Sequence, residues 1–358
     1  MVTLNQIRPS NSKVGTSLGP GLVAVFAGAT SGIGEATLKQ FAKHAAKPRI
    51  YFLGRSKGSG DRVRAELQKI NPEGEYNFIS VDVSLLRSVD DVCREIGAKE
   101  SAINLLFLST GTIVRGNETA EGLHYFAAVA YYARMRFVVN LLPLLQRATG
   151  LRRVVTVAAG TKEGPVDAGD MQGRRASLRA LRGHVASLAT LALEAVAARR
   201  APGVAFVHDY PGYVQTPLGQ RDATGLTAVV LAAANAVLGL LAPLIAVPLD
   251  ESGERHLFLA TSARFPPRDN SDGGSGSGSG SESGRGDGSG VPLPAGVAVA
   301  RGTDGETGSG VYSVDQDAES APAKVERLLD GLRKDGTAEK VWTDLETEFI
   351  RITGAASI

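Results

Sequence analysis

Ala27-Gly28-Ala29-Thr30-Ser31-Gly32-Ile33-Gly34 places three glycines within seven residues. Glycine tolerates the left-handed backbone of a tight turn, and lacking Cβ it lets main chain come close to a bulky anion. The apolar run Leu22 to Ala27 precedes this turn and is too short for a helix, so it reads as a buried strand. Helical patterning follows from Glu35 to Ala46. A strand, a glycine turn and a helix N-terminus in that order present unpaired N–H groups and a partial positive charge to a phosphate. The residues of interest are therefore Gly28, Thr30, Ser31, Gly32, Ile33 and Gly34. A second chemical signal stands at Leu53-Gly54-Arg55-Ser56-Lys57. A carboxylate at this place would bind ribose hydroxyls and repel a 2′-phosphate, whereas Arg55 offers charge-assisted bonds to one. The pair of signals points to a phosphorylated dinucleotide, NADP(H) in preference to NAD(H).

Positioning these groups requires a repeating scaffold. Strand-like runs at Ile50 to Leu53, Tyr76 to Val81, Asn104 to Leu108, Arg153 to Val157, Val204 to Asp209 and Gly310 to Asp315 alternate with helical patterning. The helical segments are Asp61 to Ile70, Leu85 to Ile96, Tyr125 to Gln146, Ala180 to Arg199, Pro322 to Gly336 and Lys340 to Ile352. Alternation of this kind predicts a doubly wound α/β domain, with a seven-stranded parallel sheet covered by helices on both faces.

Composition narrows the function classes. Of 358 residues, 43% are hydrophobic and 21% charged, an ordinary globular balance. With 39 Lys and Arg against 37 Asp and Glu, the formal charge of +2 gives no electrostatic case for nucleic acid. Cys93 is the single cysteine, which excludes an intramolecular disulfide framework and a thiolate metal cluster. The five histidines show no metal-ligand spacing. No Gly-x-Ser-x-Gly elbow follows a strand. A polar first segment without an apolar stretch predicts no secretory signal and a cytoplasmic protein.

Three segments depart from the alternation. Residues 1–20, rich in Ser, Asn, Gly and Pro, read as a flexible N-terminal arm, leaving 21–358 as one domain. Gly225 to Leu249 carries no charge. Its length suits a membrane span, but its alanines, Asn235, Pro243 and Pro248 favour a buried or lid element, with membrane contact the other reading. Ser271 to Gly290 holds nine Gly, seven Ser and four charged residues, and reads as a disordered insertion at 271–290.

The spacing Gly28-x3-Gly32-x-Gly34 resembles that of the short-chain dehydrogenase/reductase family. Asp82-Val83 is similar to the family's adenine contact. Ser109-Thr110-Gly111 stands where Asn-Ala-Gly usually ends the fourth strand, and Pro211-Gly212-Tyr213-Val214-Gln215-Thr216 resembles the Pro-Gly-x-Val-x-Thr segment beside the nicotinamide. Glu251-Ser252-Gly253-Glu254 through Ala260, Gly310-Val311-Tyr312 and Trp342 look like features of fungal secondary-metabolite members. The resemblance covers Leu22 to Phe265 and resumes after the Ser/Gly stretch. It implies a Rossmann-like fold and adds Asp82, Val83, Ser109, Gly111, Val214 and Thr216 to the cofactor site. It also implies hydride transfer on a carbonyl or alcohol of a small hydrophobic intermediate, polyketide or terpenoid in type, and admits a homo-oligomer.

The catalytic half of that resemblance is broken. The family uses a Ser after the fifth strand and a Tyr-x-x-x-Lys on the following helix, where the ammonium makes the phenol a usable acid/base. Here the Ser position falls on Ala159 or a neighbour. Counting back from Leu191-Ala192-Leu193-Glu194 puts Tyr at Ala176 or Ser177 and Lys at Ala180 or Leu181. An Asn borne on the helix in many members is missing at Ala130, its expected place, with Asn140 the nearest alternative. Weak substitutes are the Thr161 hydroxyl, Ser177, Arg179 and His184; His184 lies about 10 Å along the helix from Ser177, too far to share a substrate oxygen with it. Arg174, Arg175, Arg179 and Arg182 form a basic cluster, either a solvated helix start or a lure for an anionic substrate. The expectation is an NADP(H)-dependent oxidoreductase with a degenerate catalytic set; the alternative is a nucleotide-binding scaffold or a non-redox cyclase or isomerase.

Overall fold

Short runs of β-branched and aromatic residues form the strands β1 (Val23–Ala27), β2 (Arg49–Gly54), β3 (Glu75–Ser80), β4 (Leu105–Leu108), β5 (Arg153–Val157), β6 (Ala205–Asp209) and β7 (Val311–Val314). The computed structural model describes residues 1–201, 203–216, 218, 246–268 and 290–358. All neighbouring strands pair in parallel, in the order β3-β2-β1-β4-β5-β6-β7. This is the Rossmann-like seven-stranded sheet that the alternation predicts.

Parallel strands buried on both faces need apolar side chains at every position, and β1 is buried throughout. Alternate residues serve opposite layers. Ala24, Phe26, Ile50 and Phe52 face one core with helix α3 (Gly32–His44) and α4 (Lys57–Ile70), while Val23, Val25, Tyr51 and Leu53 face the other. The second layer holds α5 (Leu86–Lys99), α7 (Ala133–Arg147) and α8 (Leu178–Arg200), together with the helices Ala323–Lys334 and Thr337–Thr353. The helical stretch expected from Tyr125 divides into a short turn, α6 (Tyr125–Ala127), then a π-helical segment at Ala128–Tyr132, before α7 begins. Such wide turns shift the angular position of every later side chain.

The N-terminal segment is not an open arm. Residues Leu4–Asn11 form helix α1 and Val14–Ser17 form α2, with Val2, Ile7 and Val14 buried. Asn11 donates from Nδ2 to the carbonyl oxygen of Glu254 at 2.9 Å and to Glu254 Oε2 at 2.6 Å. These contacts fasten the segment to the helix Leu249–Thr261, which itself packs on α3. Three apolar anchors suffice because that helix supplies the complementary surface. A composition rich in Ser and Asn hides them.

The apolar segment 225–249 lies outside the described residues except at 246–249, where Val247 donates its N–H to the Tyr213 carbonyl and Leu249 opens a helix. The insertion 271–290 lies outside them except for Gly290. Among the described residues, no helix is long and apolar enough to cross a membrane. Replacing Ile7 with Ala should lower stability by about 2–5 kcal/mol in urea unfolding, the cost of a buried cavity. Unchanged stability would return residues 1–20 to a loose arm.

Candidate functional site

Strand order reverses between β1 and β4, so the crossover connections diverge there and leave a crevice beyond their C-terminal ends. A cavity of about 630 Å³ occupies it. The backbone of Gly28 has φ +85°, and a Cβ on it would stand 2.7 Å from the Thr110 nitrogen. A Cβ at Gly34 would stand 2.5 Å from the Gly28 carbonyl oxygen. Only glycine lets the turn close against the end of β4. The Ser109 hydroxyl spans the same gap, 3.2 Å from the carbonyl oxygens of Ala27 and Gly28. No side chain caps α3 at Ser31, and Ser31, Gly32, Ile33 and Gly34 all line the cavity. The unpaired first-turn amides thus open on the space a diphosphate would need. The cradle fits such a group.

Thr30, Arg55, Asp82, Val83, Ser109, Gly111 and Thr216 line the same cavity. Val214 is half-buried nearby without reaching the lining. Arg55 projects from the end of β2, where its Nη1 donates to the Tyr125 hydroxyl at 3.3 Å. Asp82 accepts the N–H of Ser84 at 3.0 Å. Among the described residues, the charged side chains of the lining are one carboxylate, Asp82, and three guanidiniums, those of Arg55, Arg134 and Arg182.

The residues expected at the catalytic positions are dispersed. Ala159 lines the cavity, directly after β5. Ala176 and Ser177 precede the first turn of α8; the Ser177 hydroxyl is spent as its N-cap, accepting from the Ala180 N–H. Ala180 is exposed and Leu181 is in the core, and neither lines the cavity. The pair four residues apart that does so is Leu178 and Arg182, with Val185 and Ala186 behind them. His184 is buried with both ring nitrogens engaged, Nε2 at 3.0 Å from the Met171 carbonyl and Nδ1 accepting the Asp167 N–H. Thr161 is buried at φ +63° in the turn after β5, and its backbone N–H donates to the Ser313 hydroxyl. Asn140 is engaged elsewhere, donating to Asp90 and accepting the Ile358 N–H.

Two features escaped the sequence. The first is Arg134, at the second residue of α7. Its Nε donates to the Thr110 carbonyl at 3.0 Å and its Nη1 to Thr156 Oγ1 at 2.7 Å and the Val157 carbonyl at 2.9 Å, while Nη2 also reaches the Thr110 carbonyl. Burial pulls this guanidinium down to about 9. The available signal was an arginine inside an apolar helix, since such residues are rarely buried without reason.

The second feature lies beneath Ala159. Its N–H donates to His208 Nε2 at 3.2 Å, so that nitrogen is an acceptor and the proton sits on Nδ1. His208 Nδ1 meets the Thr190 hydroxyl at 2.8 Å, which in turn donates to Glu163 Oε1 at 2.8 Å; Ser313 donates to the same oxygen at 2.6 Å. Burial drives His208 down to about 3 and pushes the Glu163 carboxyl up. This network holds the backbone at Ala159. Outside the lining, the Tyr210 ring is flanked by Lys162 Nζ at 4.7 Å and Arg182 Cζ at 4.8 Å from its centroid.

Comparison with known proteins agrees with this geometry. Residues 22–224 match the short chain dehydrogenase family. An oxidoreductase of Emericella nidulans, AN1596, is 36% identical over 97% of this chain and 98% of its own length. The oxidoreductase andH of Emericella variicolor is 34% identical over 99% of each chain. A short-chain dehydrogenase/reductase of Stachybotrys chartarum, SAT2, is 28% identical over 90% of each. Among solved structures, KRED1-Pglu superposes with a TM-score of 0.51 at 19% identity, over 67% of this chain and 94% of that one, a likeness of fold.

The chain belongs to the short chain dehydrogenase family. Its class is that of oxidoreductases working with a nicotinamide cofactor.

Because the folded pKa of His208 lies below its ordinary value, the ring stays neutral between pH 7.5 and 5. Its ¹⁵N resonances should show an unchanging Nδ1–H tautomer across that range. A midpoint near 6.5 would show the network to be open to water.

Proposed function

We propose that the protein is an NADP(H)-dependent reductase or dehydrogenase acting on the carbonyl or alcohol of a small hydrophobic secondary-metabolite intermediate, polyketide or terpenoid in type. The observation that carries this reading is a single cavity joining the glycine turn to a cation. Arg55 takes the place at the end of β2 where a carboxylate would exclude a 2′-phosphate.

In this reading the amides of Gly32, Ile33 and Gly34 hold the diphosphate, and Arg55 holds the 2′-phosphate. Val83 and Asp82 flank the adenine, while Gly111 and Thr216 border the nicotinamide, with Val214 behind. The bound cofactor supplies a hydride to the substrate carbonyl carbon, so NADPH is oxidised as the ketone becomes an alcohol. The carbonyl oxygen takes its proton from water or from a non-standard side chain of the lining, because no phenol stands at Leu178 and no hydroxyl at Ala159. The apolar wall of Val129, Val185, Ala186 and Leu178 selects a hydrophobic substrate. Val154, Val155 and the other strand residues beneath act only as scaffold.

The expected outcome is consumption of NADPH at 340 nm with at least one ketone of a pathway-derived panel, and an NADP⁺ affinity exceeding that for NAD⁺. Arg55→Asp should weaken NADP⁺ binding roughly tenfold to a hundredfold, the worth of a charge-assisted contact, and spare NAD⁺. Equal affinities in the wild type would remove the NADP(H) assignment.

A second reading is favoured by one observation, that Ala159 and Leu178 occupy the cavity positions where hydroxyls would serve redox chemistry. Here the site binds nucleotide as a scaffold or runs a non-redox cyclisation or isomerisation. The triple variant Ala159→Ser, Leu178→Tyr, Arg182→Lys separates the two, since a positioned general acid is worth about 10²–10⁴-fold in rate. A silent wild type with turnover appearing only in the triple variant supports the scaffold. Measurable wild-type reduction rules it out.

A further inference from the structure

Arg134 is 5% exposed and lines the cavity, yet among the described residues no carboxylate pairs with it. Its acceptors are two backbone carbonyls and one hydroxyl, the Thr110 and Val157 oxygens and Thr156 Oγ1. They satisfy hydrogen bonds without neutralising charge. Burying an unneutralised cation is costly, and another arginine of the same helix avoids that cost. Arg136, equally buried two residues on, closes on Asp90 through Nε at 2.5 Å and Nη2 at 2.7 Å. Arg134 instead spends four of its five donor hydrogens on the ends of β4 and β5. The remaining hydrogen is on Nη2, the atom that would stand 3.8 Å from a Cβ on Gly111, a cavity residue. Asp82, at the end of β3, is the acid of the lining and lies beyond β2 and β1 in the strand order. Arg182, the second cation of this half, is exposed and has no hydrogen-bonded or ion-paired acid among the described residues either.

We propose that Arg134 is the anchor for an anionic oxygen of the substrate, so that the substrate class is an apolar acid or enolised dicarbonyl: a keto acid, or the enolate of a 1,3-diketone. The inference deepens the reductase reading and rests on it for the word substrate; the anion site itself does not require the cofactor. A carboxylate or enolate entering past Leu178 meets the one remaining N–H of a guanidinium already oriented by three fixed acceptors. The ring or chain it carries lies against Val129, Val185 and Ala186. Arg182 at the mouth draws the anion in. The fixed guanidinium then orients the neighbouring carbonyl in the space between Gly111 and Ala159.

Calorimetric titration with benzoate and with benzamide, its neutral isostere, tests the anchor. NADP⁺ is titrated first and kept saturating, so that the glycine turn does not take up benzoate. The wild type should prefer benzoate over benzamide by roughly tenfold or more, the worth of a charge-assisted hydrogen bond. Arg134→Gln and Arg134→Met should abolish that preference while retaining NADP⁺ binding and the helical circular dichroism spectrum. Arg134→Lys, which keeps the charge and loses the fork, should restore part of it. Equal affinity for the two probes in the wild type overturns the proposal. So does a preference that survives in Arg134→Gln, or one that vanishes only in Arg182→Ala. Should Arg134→Met fail to fold, the Gln and Lys variants decide. Absence of NADP⁺ binding defeats the reductase reading, and the same titration in apoprotein then judges the anion site separately.

Discussion

The approach of the glycine turn to the end of β4 sets the spacing on which the site depends. A single methyl group at Gly28 would collide with the Thr110 nitrogen, so the turn and strand sit closer than any other residue type allows. That closeness aims the first turn of α3 across the crevice and places its unpaired amides on the cavity wall. The reversal of strand order at the same place keeps the crossovers apart and the crevice open. An anion-binding turn and an open crevice are therefore consequences of one packing constraint.

Electrostatics in the cavity follow a division of labour. The cations of the lining outnumber its one carboxylate, and they are spread from the β2 end to the start of α8. Arg55 is positioned by strand β2 and meets a phenol, Tyr125, across the cavity. Arg134 is positioned by carbonyl oxygens, which hold its plane without cancelling its charge. In a low-dielectric interior such a charge is felt more strongly than the same group at the surface. The contrast with the neutralised Arg136, on the same helix and equally buried, shows that burial by itself does not dictate this arrangement.

The cavity positions after β5 and on α8 sit in a fixed frame. The backbone N–H of Ala159 is held by His208, which is held by Thr190 and Glu163 in turn. Leu178 and Arg182 stand one helical turn apart on the cavity side of α8. Architecture and reagent are thus separable in this fold. The sheet, the turn and the buried network define the cavity independently of the side chains that line it.

The parallel sheet, its strand count and the glycine turn were legible along the chain, because apolar runs of strand length and the φ preference of glycine are local properties. So was Arg55, whose place follows from the end of a strand. Local signals failed where distance in sequence had to be converted into position in space. The N-terminal segment reads as loose, yet Ile7 and Val14 are buried, and Asn11 bonds to Glu254, more than two hundred residues later in the chain. On α8 the cavity is lined by Leu178 and Arg182 and not by Ala176 or Ala180. Arg134, two residues after the π-helical turn at Ala128–Tyr132, also lines it. The sequence by itself determined the strands of the sheet, the helices between them and the glycine turn shaped for an anion, through steric limits on single residues. Tertiary structure alone decided which helix faces meet the cavity, since that depends on loop length, helix winding and the packing of distant segments.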